Sequence, residues 1–445
     1  MSIFENIFNK KRVYLDNAGA TDISARAKRA LLDTIDVFGN PSSIFKEGVE
    51  ASKLLNNARK KIGDTINARQ HEIYFTSSGT ESCNLAILGT YNAWRKENEV
   101  RSTNKLPHII ISAIEHPAVM ETINYLMINS LANVTYLPVY ENGIVKLEDV
   151  KNAITEETIL VSVMYANNEI GTIQPIKEIG RIVKEVKKAR REKLEAGNDN
   201  SSIQHPASIY PLFHTDACQA GNYLNLDVFR LKVDMMTLNS SKVYGPKGIA
   251  VLYKKEGVEI SPITFGGGQE RGLRSGTESV SLAMSFAEAL TEAQEMKDKE
   301  SSRLILLRDR FKEQLQKRLP QVVFYGAWDE CRQQTTDNRQ QKNTTKEMQR
   351  LPNNINCRIP NISSEEIILR LDAKGFSVSH KSACASQVDD SSYVIKALGA
   401  SDEEAKENIS ITLGRDTTQN DLDKLVGTIE SIVKELEINY NNCIK

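Results

Sequence analysis

The strongest constraint on the fold is a set of seven short apolar runs that recur across the first two-thirds of the chain. Several are apolar at almost every position, which is typical of strands buried on both faces of a sheet. The stretches between them carry apolar residues at helical spacing, as 177–193 does with Ile179 and Ile182. The predicted strands are 72–76, 108–113, 134–139, 158–164, 209–215, 235–239 and 248–253.

This alternation predicts an α/β fold with a mostly parallel sheet flanked by helices. From about residue 283 the pattern changes to a long charged helix followed by short strands and two further helices, which predicts a smaller α+β domain. We therefore predict a large domain over 24–298 and a small domain formed by 1–23 plus 299–445. The helices predicted after the change are 283–317, 365–373 and 418–436.

Composition excludes several classes of function. The chain has 57 basic and 58 acidic residues among its 445, a balance that favours neither a nucleic-acid groove nor a membrane surface. No apolar run is long enough to span a bilayer, and the first residues lack the cleavage site of a secretory signal. We therefore expect a cytoplasmic protein. Its six cysteines form no CxxC pair and should be free thiols there.

Two stretches have the composition of loops. Residues 195–207 are rich in turn-forming side chains, and 332–350 contain almost no apolar residues but many Gln, Asn and Thr. Such compositions cannot bury enough apolar surface to fold independently. We interpret 332–350 as a surface insertion in the small domain.

Chemically useful residues follow the predicted strands at their carboxyl ends. The run TSSGTE at 76–81 opens a helix, and a helix N-terminus with free N–H groups binds anions. His116, Asp216 and Lys242 follow later strands, and the carboxyl ends of parallel strands meet at one edge of a sheet. An anion cradle, a carboxylate and a lysine amine are what pyridoxal phosphate (PLP) requires for its phosphate, ring nitrogen and aldehyde. The sequence therefore predicts a PLP site.

Each of these elements has a simpler interpretation when taken alone. Lys242 could be a surface residue, Asp216 a solvated acid, and TSSGTE an ordinary helix cap. His214, Asp216 and Cys218 alternate along one strand and could face a zinc ion, but no fourth ligand is evident at a suitable spacing. We predict no metal site, because only the joint pattern argues for a function.

The chain resembles the cysteine desulfurases of the NifS/IscS type, which are class V, fold-type I PLP enzymes. The resemblance extends from Tyr14 to Arg415, nearly the whole chain. The motifs that carry it are FGNPSS (38–43), FTSSGTESCNLA (75–86), EHPAV (115–119), NNEIG (167–171), HTDACQ (214–219), KVYGPKG (242–248), GGGQERGLRSGT (266–277), SACAS (382–386), SYVIKALG (392–399) and TLGR (412–415).

The resemblance implies a role for each cofactor-facing residue. Lys242 is expected to be the Schiff-base lysine, and His116 to stack on the cofactor ring and shuttle a proton. Asp216 is expected to pair with the ring nitrogen, and Gln219 to hydrogen-bond the phenolic oxygen.

The same resemblance places the phosphate of PLP at Thr80 and the N–H of Gly79. Asn239 and Ser241 lie in a run where the family usually has Ser-Gly-His before the lysine. Both can hydrogen-bond a phosphate, but the imidazole is absent, which predicts weaker PLP retention. Thr277 is expected to reach the phosphate in a partner subunit, so the active unit should be a homodimer.

For the substrate, L-cysteine, the resemblance implies that Asn168 and Arg415 grip the carboxylate. Cys384 is expected to take the sulfur as a persulfide, leaving L-alanine. Its neighbours are small or polar, including His380 and Lys381 where Ser-Gly is common, and an exposed thiol beside cations favours the nucleophilic thiolate. Phe45 is a second departure, because the family commonly has a histidine there.

Three questions stay open at this stage. Selenocysteine lyase, or another class V enzyme, would keep the PLP residues and need no nucleophilic cysteine. A non-catalytic scaffold built on the same fold would bind no PLP. The sulfur acceptor is expected to be a protein, such as an iron–sulfur scaffold or a tRNA-thiolation protein, with no direct contact to nucleic acid or membrane.

Overall fold

The computed structural model describes residues 12–100, 105–196, 210–328, 348–380 and 391–443. The strands of this part are β1 Val13–Tyr14, β2 Ile73–Thr76, β3 His108–Ser112, β4 Asn133–Leu137, β5 Thr158–Ser162, β6 Leu212–Asp216, β7 Met235–Asn239, β8 Ala250–Lys254, β9 Val323–Phe324, β10 Asn354–Arg358, β11 Phe376–Ser377 and β12 Asn408–Thr412. Its α-helices are α1 Ala25–Thr34, α2 Lys46–Ile66, α3 Gly79–Val100, α4 Pro117–Ile128, α5 Leu147–Ala153, α6 Ile176–Ala196, α7 Val228–Leu231, α8 Val280–Arg318, α9 Ser364–Ala373, α10 Tyr393–Ala397, α11 Asp402–Lys406 and α12 Gln419–Cys443.

The central sheet has seven strands in the order β2-β8-β7-β6-β5-β3-β4. Strand β8 is antiparallel to both of its neighbours, and the remaining pairs are parallel. Every residue of β2, β3, β5 and β6 is buried, as their nearly continuous apolar sequences predicted. The seven predicted strands and the α/β fold class are therefore confirmed.

The C-terminal part builds two smaller sheets. Strands β9, β10 and β12 form an antiparallel sheet, and β1 pairs in parallel with β11, so the first described residues lie with the C-terminal part. The predicted helices there correspond to α8, α9 and α12. The boundary predicted between residues 298 and 299 falls inside α8, a continuous helix of 39 residues, and the division into two domains stays a prediction.

The helices and loops complete this arrangement. Helix α8 contributes Phe286 and Phe311 to the same apolar core as Phe213 of β6, and all three are almost fully buried. The loop expected at 195–207 begins with the end of α6, and its residues from 197 lie outside the described part, as do residues 332–347 of the predicted insertion. No helix of the described residues has the length and apolar character needed to cross a bilayer.

A buried ion pair fastens the Gly-rich loop at 266–277 to the first strand of the sheet. Arg59 of α2 and Glu270 of this loop have side chains 5% and 0% exposed. Glu270 Oε2 accepts a hydrogen bond from Arg59 Nη1 at 2.6 Å and another from the Phe75 N–H at 3.0 Å. The guanidinium also lies 4.8 Å from the centre of the Phe75 ring. Since Glu270 has a φ of 46°, the loop takes a left-handed turn where this pair holds it.

We expect Arg59→Ala to lower the free energy of unfolding by about 3–5 kcal/mol, because it leaves the Glu270 carboxylate buried without its cation. The neighbouring Lys60→Ala is the matched control. Lys60 pairs with Asp64 at the surface, where both side chains are more than 60% exposed, and its loss should cost about 1 kcal/mol or less. Urea denaturation followed by circular dichroism measures both. Equal midpoints for the two variants would contradict the prediction.

Candidate active site

A cleft opens at the edge of the sheet where the parallel strands end. Each strand end delivers a residue to it: Gly79 begins α3 after β2, His116 follows β3, and Asp216 is the last residue of β6. The cleft thus brings together eight of the residues selected from the sequence. They are Gly79, Thr80, His116, Asn168, Asp216, Gln219, Asn239 and Lys242.

Lys242 is held by main-chain carbonyls of the N-terminal stretch. Its Nζ donates to the carbonyl oxygen of Ala18 at 2.7 Å and to that of Gly19. Gln219 Nε2 donates to the Ala18 carbonyl as well, at 3.0 Å. Asp16, Ala18 and Gly19 all line the cleft, although no sequence pattern assigned them a role. Main-chain carbonyls therefore fix the lysine amine in the cleft, and among the described residues it forms no salt bridge.

Asp216 supplies a buried carboxylate near the amine, with only 7% of the residue exposed. Its Oδ1 accepts from the Cys218 N–H at 2.9 Å, which fixes the carboxylate at the strand end. Burial, reinforced by the negative charge of Asp216, raises the pKa of the Cys83 and Cys218 thiols well above the ordinary value. Both thiols therefore stay protonated: Cys218 lines the cleft, and the fully buried Cys83 donates from Sγ to Asp216 Oδ2 at 3.6 Å.

His116 is a neutral imidazole in this cleft. Its Nδ1 accepts a hydrogen bond from the Ala118 N–H at 3.1 Å and so caps α4, which assigns the ring proton to Nε2. Burial lowers its pKa, and the nearby Lys242 acts in the same direction while Asp216 opposes it. The ring is consequently uncharged at neutral pH and held in one orientation, as an aromatic stacking partner requires.

The N-terminus of α3 forms an anion-binding end of the cleft. A Cβ placed on Gly79 would come within 3.0 Å of Cys218 Sγ and 3.4 Å of Asn239 Nδ2, so glycine permits a close approach of the backbone here. The helix that starts at this point is 22 residues long, and its first N–H groups have no partner within the helix. A phosphate fits this position.

The comparisons with known proteins agree with this geometry. The sequence model of the family described as aminotransferase class-V matches residues 13–190 and 206–425. A cysteine desulfurase IscS from Clostridium botulinum strain Hall is 37% identical over 426 residues, which cover 96% of this chain and 95% of the relative. A solved NifS-like protein superimposes with a TM-score of 0.78 at 30% identity and covers 95% of this chain and 99% of its own.

The chain belongs to the class-V aminotransferase family. Within it, the resemblance to the cysteine desulfurases is confirmed by these relatives. A further solved structure, described as SspA in complex with cysteine, has a TM-score of 0.67 at 28% identity and covers 90% of this chain and 98% of its own.

Enzymes of this class-V family depend on PLP, and the residues of the cleft fit that cofactor. The α3 N-terminus suits the phosphate, the Asp216 carboxylate suits a protonated ring nitrogen, and the Lys242 amine suits an aldehyde. The small side chains of Ala118 and Ala166 in the cleft wall leave room for a flat ring. The predicted cofactor is therefore consistent with the site on chemical grounds.

Four of the selected residues are not among those that line the cleft. Ser241 lies behind Asn239, whose Oδ1 accepts from the Ser241 N–H at 3.3 Å, and Thr277 is exposed on the Gly-rich loop. Arg415 Nη1 is bound to Glu292 Oε2 at 2.8 Å. Cys384 lies outside the described residues.

The zinc interpretation finds no support. His214 Nδ1 lies 2.8 Å from Ser162 Oγ, and its Nε2 lies 3.0 Å from Thr237 Oγ1, so both ring nitrogens are engaged. Burial lowers the pKa of His214 to about 4. In the part of the chain that the structure covers, no group of three or more potential ligands is placed to hold a metal ion.

Glu115 is a feature that sequence reasoning missed. It is fully buried, and its Oε1 accepts from the Ser112 hydroxyl and from the Met164 N–H at 2.9 Å. Its Oε2 has no hydrogen-bond partner among the described residues. Burial, together with the charge of Asp216, raises its pKa to about 8, so the acid is protonated at neutral pH. The signal was present in the sequence as an acid at the end of a buried apolar run.

We expect Glu115→Gln to change how stability depends on pH. A raised folded-state pKa means that the stability from this group is complete below about pH 4.5 and is lost as pH rises through about 8. Glutamine cannot ionise and so resembles the protonated acid at every pH. Between pH 5 and 8 the free energy of unfolding of the parent protein should therefore fall by roughly 3–5 kcal/mol more than that of the variant. Denaturation at several pH values tests this, with the exposed Glu121→Gln as the control. Parallel pH profiles for Glu115→Gln and the parent protein would refute it.

Proposed function

We propose that the protein is a cysteine desulfurase that removes sulfur from L-cysteine, releases L-alanine and carries the sulfur as a persulfide on Cys384. The observation that carries the proposal is the meeting of the Lys242 amine, the Asp216 carboxylate and the neutral His116 ring in one cleft. The names of the relatives and the cysteine complex of a structural neighbour support the same substrate.

When bound, PLP supplies an electron sink that stabilises negative charge at the substrate Cα. Lys242 would hold the cofactor through Nζ and, as a free amine, would accept the Cα proton at the same atom. The Asp216 carboxylate would favour a protonated ring nitrogen, which would strengthen the sink. His116, with its proton on Nε2, is placed to move a proton to or from the reacting atoms.

The proposed sulfur transfer balances without an external oxidant. The Cys384 thiolate attacks the substrate sulfur, an S–S bond forms, and the substrate Cβ–S bond breaks with its electron pair left on carbon. That carbon takes a proton and becomes the methyl group of alanine, so L-cysteine and a thiol give L-alanine and a persulfide. Carbon is reduced as sulfur is oxidised.

Chain connectivity supports Cys384 as the sulfur acceptor. Ser379 lines the cleft next to Ser410, and the two are joined by main-chain hydrogen bonds in both directions. Cys384 follows Ser379 by only five residues in the sequence, a connectivity that a sulfur acceptor for this cleft requires.

The proposal includes a homodimer whose partner contributes Thr277. Thr277 is exposed, is not among the residues that line the cleft of its own subunit, and lies on a loop held by the buried Glu270. Ser281 donates to the carbonyl of Thr34 at 2.9 Å, which joins this region to an exposed apolar stretch that begins in the last turn of α1 and continues beyond it. The large exposed apolar side chains there are Leu32, Ile35, Phe38, Ile44 and Phe45. A monomer would leave this surface in water, which favours burial against a second copy.

Experiments can distinguish two alternatives from the proposal. A selenocysteine lyase, or another class V enzyme, would work without Cys384, and a scaffold would bind no PLP. The acceptor belongs to the proposal only as a class, a protein that takes sulfane sulfur for iron–sulfur assembly or tRNA thiolation. The cytoplasmic location is part of the same proposal.

We expect Cys384→Ser to abolish persulfide formation and to lower sulfide release by at least about a hundredfold, since the acceptor thiol is gone. The purified protein should be yellow, and Lys242→Ala should lose that chromophore while Cys384→Ser keeps it. Sulfide and alanine are measured with L-cysteine and a reductant, and Cys357→Ser, a buried cysteine with a pKa raised to about 12, is the control. Equal sulfide from Cys384→Ser and the parent protein would exclude the persulfide mechanism.

Glu292 should set the affinity for the substrate carboxylate. Although burial acts to raise the pKa of Glu292, hydrogen bonds from Ser24 and Arg415 lower it, so a carboxylate holds the Arg415 fork that the substrate needs. We expect Glu292→Gln to lower the KM for L-cysteine about threefold to tenfold with kcat unchanged.

The control for this prediction is Glu295→Gln on the same helix. Glu295 is bound to Arg26 at 2.6 Å near the surface and does not contact Arg415 in the described structure. A higher KM in Glu292→Gln would mean that Glu292 orients Arg415 for the substrate. It would reject the idea that the Glu292 carboxylate and the substrate carboxylate compete for Arg415.

A further inference from the structure

Tyr244 contacts both the main chain and the side chain of Arg415, although the two residues are far apart in the sequence. Its hydroxyl accepts a hydrogen bond from the Arg415 N–H at 2.9 Å. The guanidinium carbon of Arg415 lies over the Tyr244 ring, 4.0 Å from the ring centre. Tyr244 is only 7% exposed, and a cation over an aromatic ring is bound more strongly away from water than at the surface. One tyrosine therefore holds Arg415 at two points.

The main chain of Tyr244 is itself held in place. Its φ is 61°, a left-handed conformation that is rare for a bulky residue and persists only where the surroundings hold it. The Tyr244 N–H donates to Thr21 Oγ1 at 2.8 Å, and the Tyr244 carbonyl accepts from the Ser24 N–H at 2.9 Å. Since Lys242 is only two residues earlier, this fixed turn carries both the phenol and the amine that the proposed function assigns to the cofactor.

The main chain around Arg415 is held from a second side. Arg303 of α8 donates through Nη2 to the carbonyls of Gly414 at 2.9 Å and Arg415 at 3.1 Å. Thr412, three residues before Arg415, accepts at Oγ1 from the N–H of Ala18 at 2.9 Å, and Ala18 lines the cleft. The turn that carries Arg415 is thus joined to the cleft wall, although Arg415 is not among the residues that line the cleft.

An aromatic ring and a carboxylate can bind the Arg415 guanidinium at the same time. A ring binds the flat face of a guanidinium, whereas a carboxylate binds the N–H groups along its edge. In this structure the guanidinium carbon lies over the Tyr244 ring while Glu292 Oε2 accepts from Nη1 at 2.8 Å. A substrate carboxylate that replaced Glu292 would use the same N–H groups and would not have to displace the ring. The contact with Tyr244 is therefore compatible with either carboxylate.

We infer that Tyr244 is a positioning residue that sets how strongly Arg415 binds the carboxylate of the substrate. The inference rests on the proposed function, in which Arg415 grips that carboxylate. Because Tyr244 lies on the turn of Lys242, it fixes the arginine relative to the amine. An arginine that is already ordered loses less conformational entropy when it binds. Loss of the tyrosine contacts should therefore weaken the binding of ligands that carry a carboxylate and spare ligands that do not.

The experiment uses the PLP-loaded full-length protein and two ligands that differ only in the group that Arg415 would bind. L-Alanine carries a carboxylate, L-alaninamide carries an uncharged amide, and neither contains sulfur that could pass to Cys384. The change in PLP absorbance is recorded as each ligand is added, which gives the half-saturating concentration.

We expect Tyr244→Phe, which keeps the ring and loses the hydroxyl, to raise the half-saturating concentration of L-alanine about threefold to tenfold. Tyr244→Leu loses both contacts and should raise it about thirtyfold or more. The value for L-alaninamide should stay within about twofold of the parent protein in both variants, because this ligand offers Arg415 no carboxylate. Tyr140→Phe is the matched control, since it also removes one hydroxyl contact, to Asp149 at 3.0 Å, and should match the parent protein with both ligands.

The outcomes separate the inference from the proposed function. The parent protein should prefer L-alanine to L-alaninamide, and Arg415→Gln should lose that preference. If it does, and both Tyr244 variants keep the preference in full, the inference is overturned while the role of Arg415 stands. An equal loss of affinity for the two ligands would assign the effect of Tyr244 to the cofactor site or the fold and would also overturn the inference. A parent protein without any preference would overturn the proposed role of Arg415, and with it the inference.

Discussion

The parallel direction of the strands is the constraint on which the site depends. Strands β2, β3, β5, β6 and β7 end at the same edge of the sheet, so residues as far apart as Gly79 and Lys242 become neighbours without any long loop. The strands can be parallel because helices cover both faces, which in turn requires the continuous apolar sequences. Burial of the sheet and the assembly of the cleft are thus consequences of one pattern.

The electrostatics of the cleft follow from how deeply each group is buried. Asp216 lines the cleft, and Glu115 is fully buried where it feels the charge of Asp216; burial raises the pKa of Glu115 so that this acid carries no charge at neutral pH. The same burial keeps His116 neutral and the thiols of Cys83 and Cys218 protonated. The chemically active pair that remains is the Asp216 carboxylate, which suits a cofactor ring nitrogen, and the Lys242 amine, which suits an aldehyde.

The sequence predicted what depends on local pattern. The strands and the residues at their ends were found because periodicity and strand-end position are written in contiguous residues. Glu115, the carbonyls of Ala18 and Gly19, and the Arg415–Glu292 pair were not found, because each depends on contacts between distant segments. Cys384, in contrast, is identified from the sequence alone. Its small and polar neighbours, and the resemblance of the chain to the cysteine desulfurases, are the grounds for choosing it.

The sequence before the lysine departs from the family pattern and changes which donors face the phosphate end of the cleft. Ser241 stands where the family usually has the imidazole, and Asn239, two residues earlier, lines the cleft and accepts at Oδ1 from the Ser241 N–H and, at 3.3 Å, from the Ser241 hydroxyl. Asn239 is thereby oriented with its Oδ1 engaged, which leaves the amide Nδ2 as a donor beside Gly79. An amide donor next to a helix N-terminus can bind a phosphate oxygen without carrying charge. The α3 N-terminus would then contribute the larger share of the binding energy, since neither Asn239 nor Ser241 brings a cation to the anion.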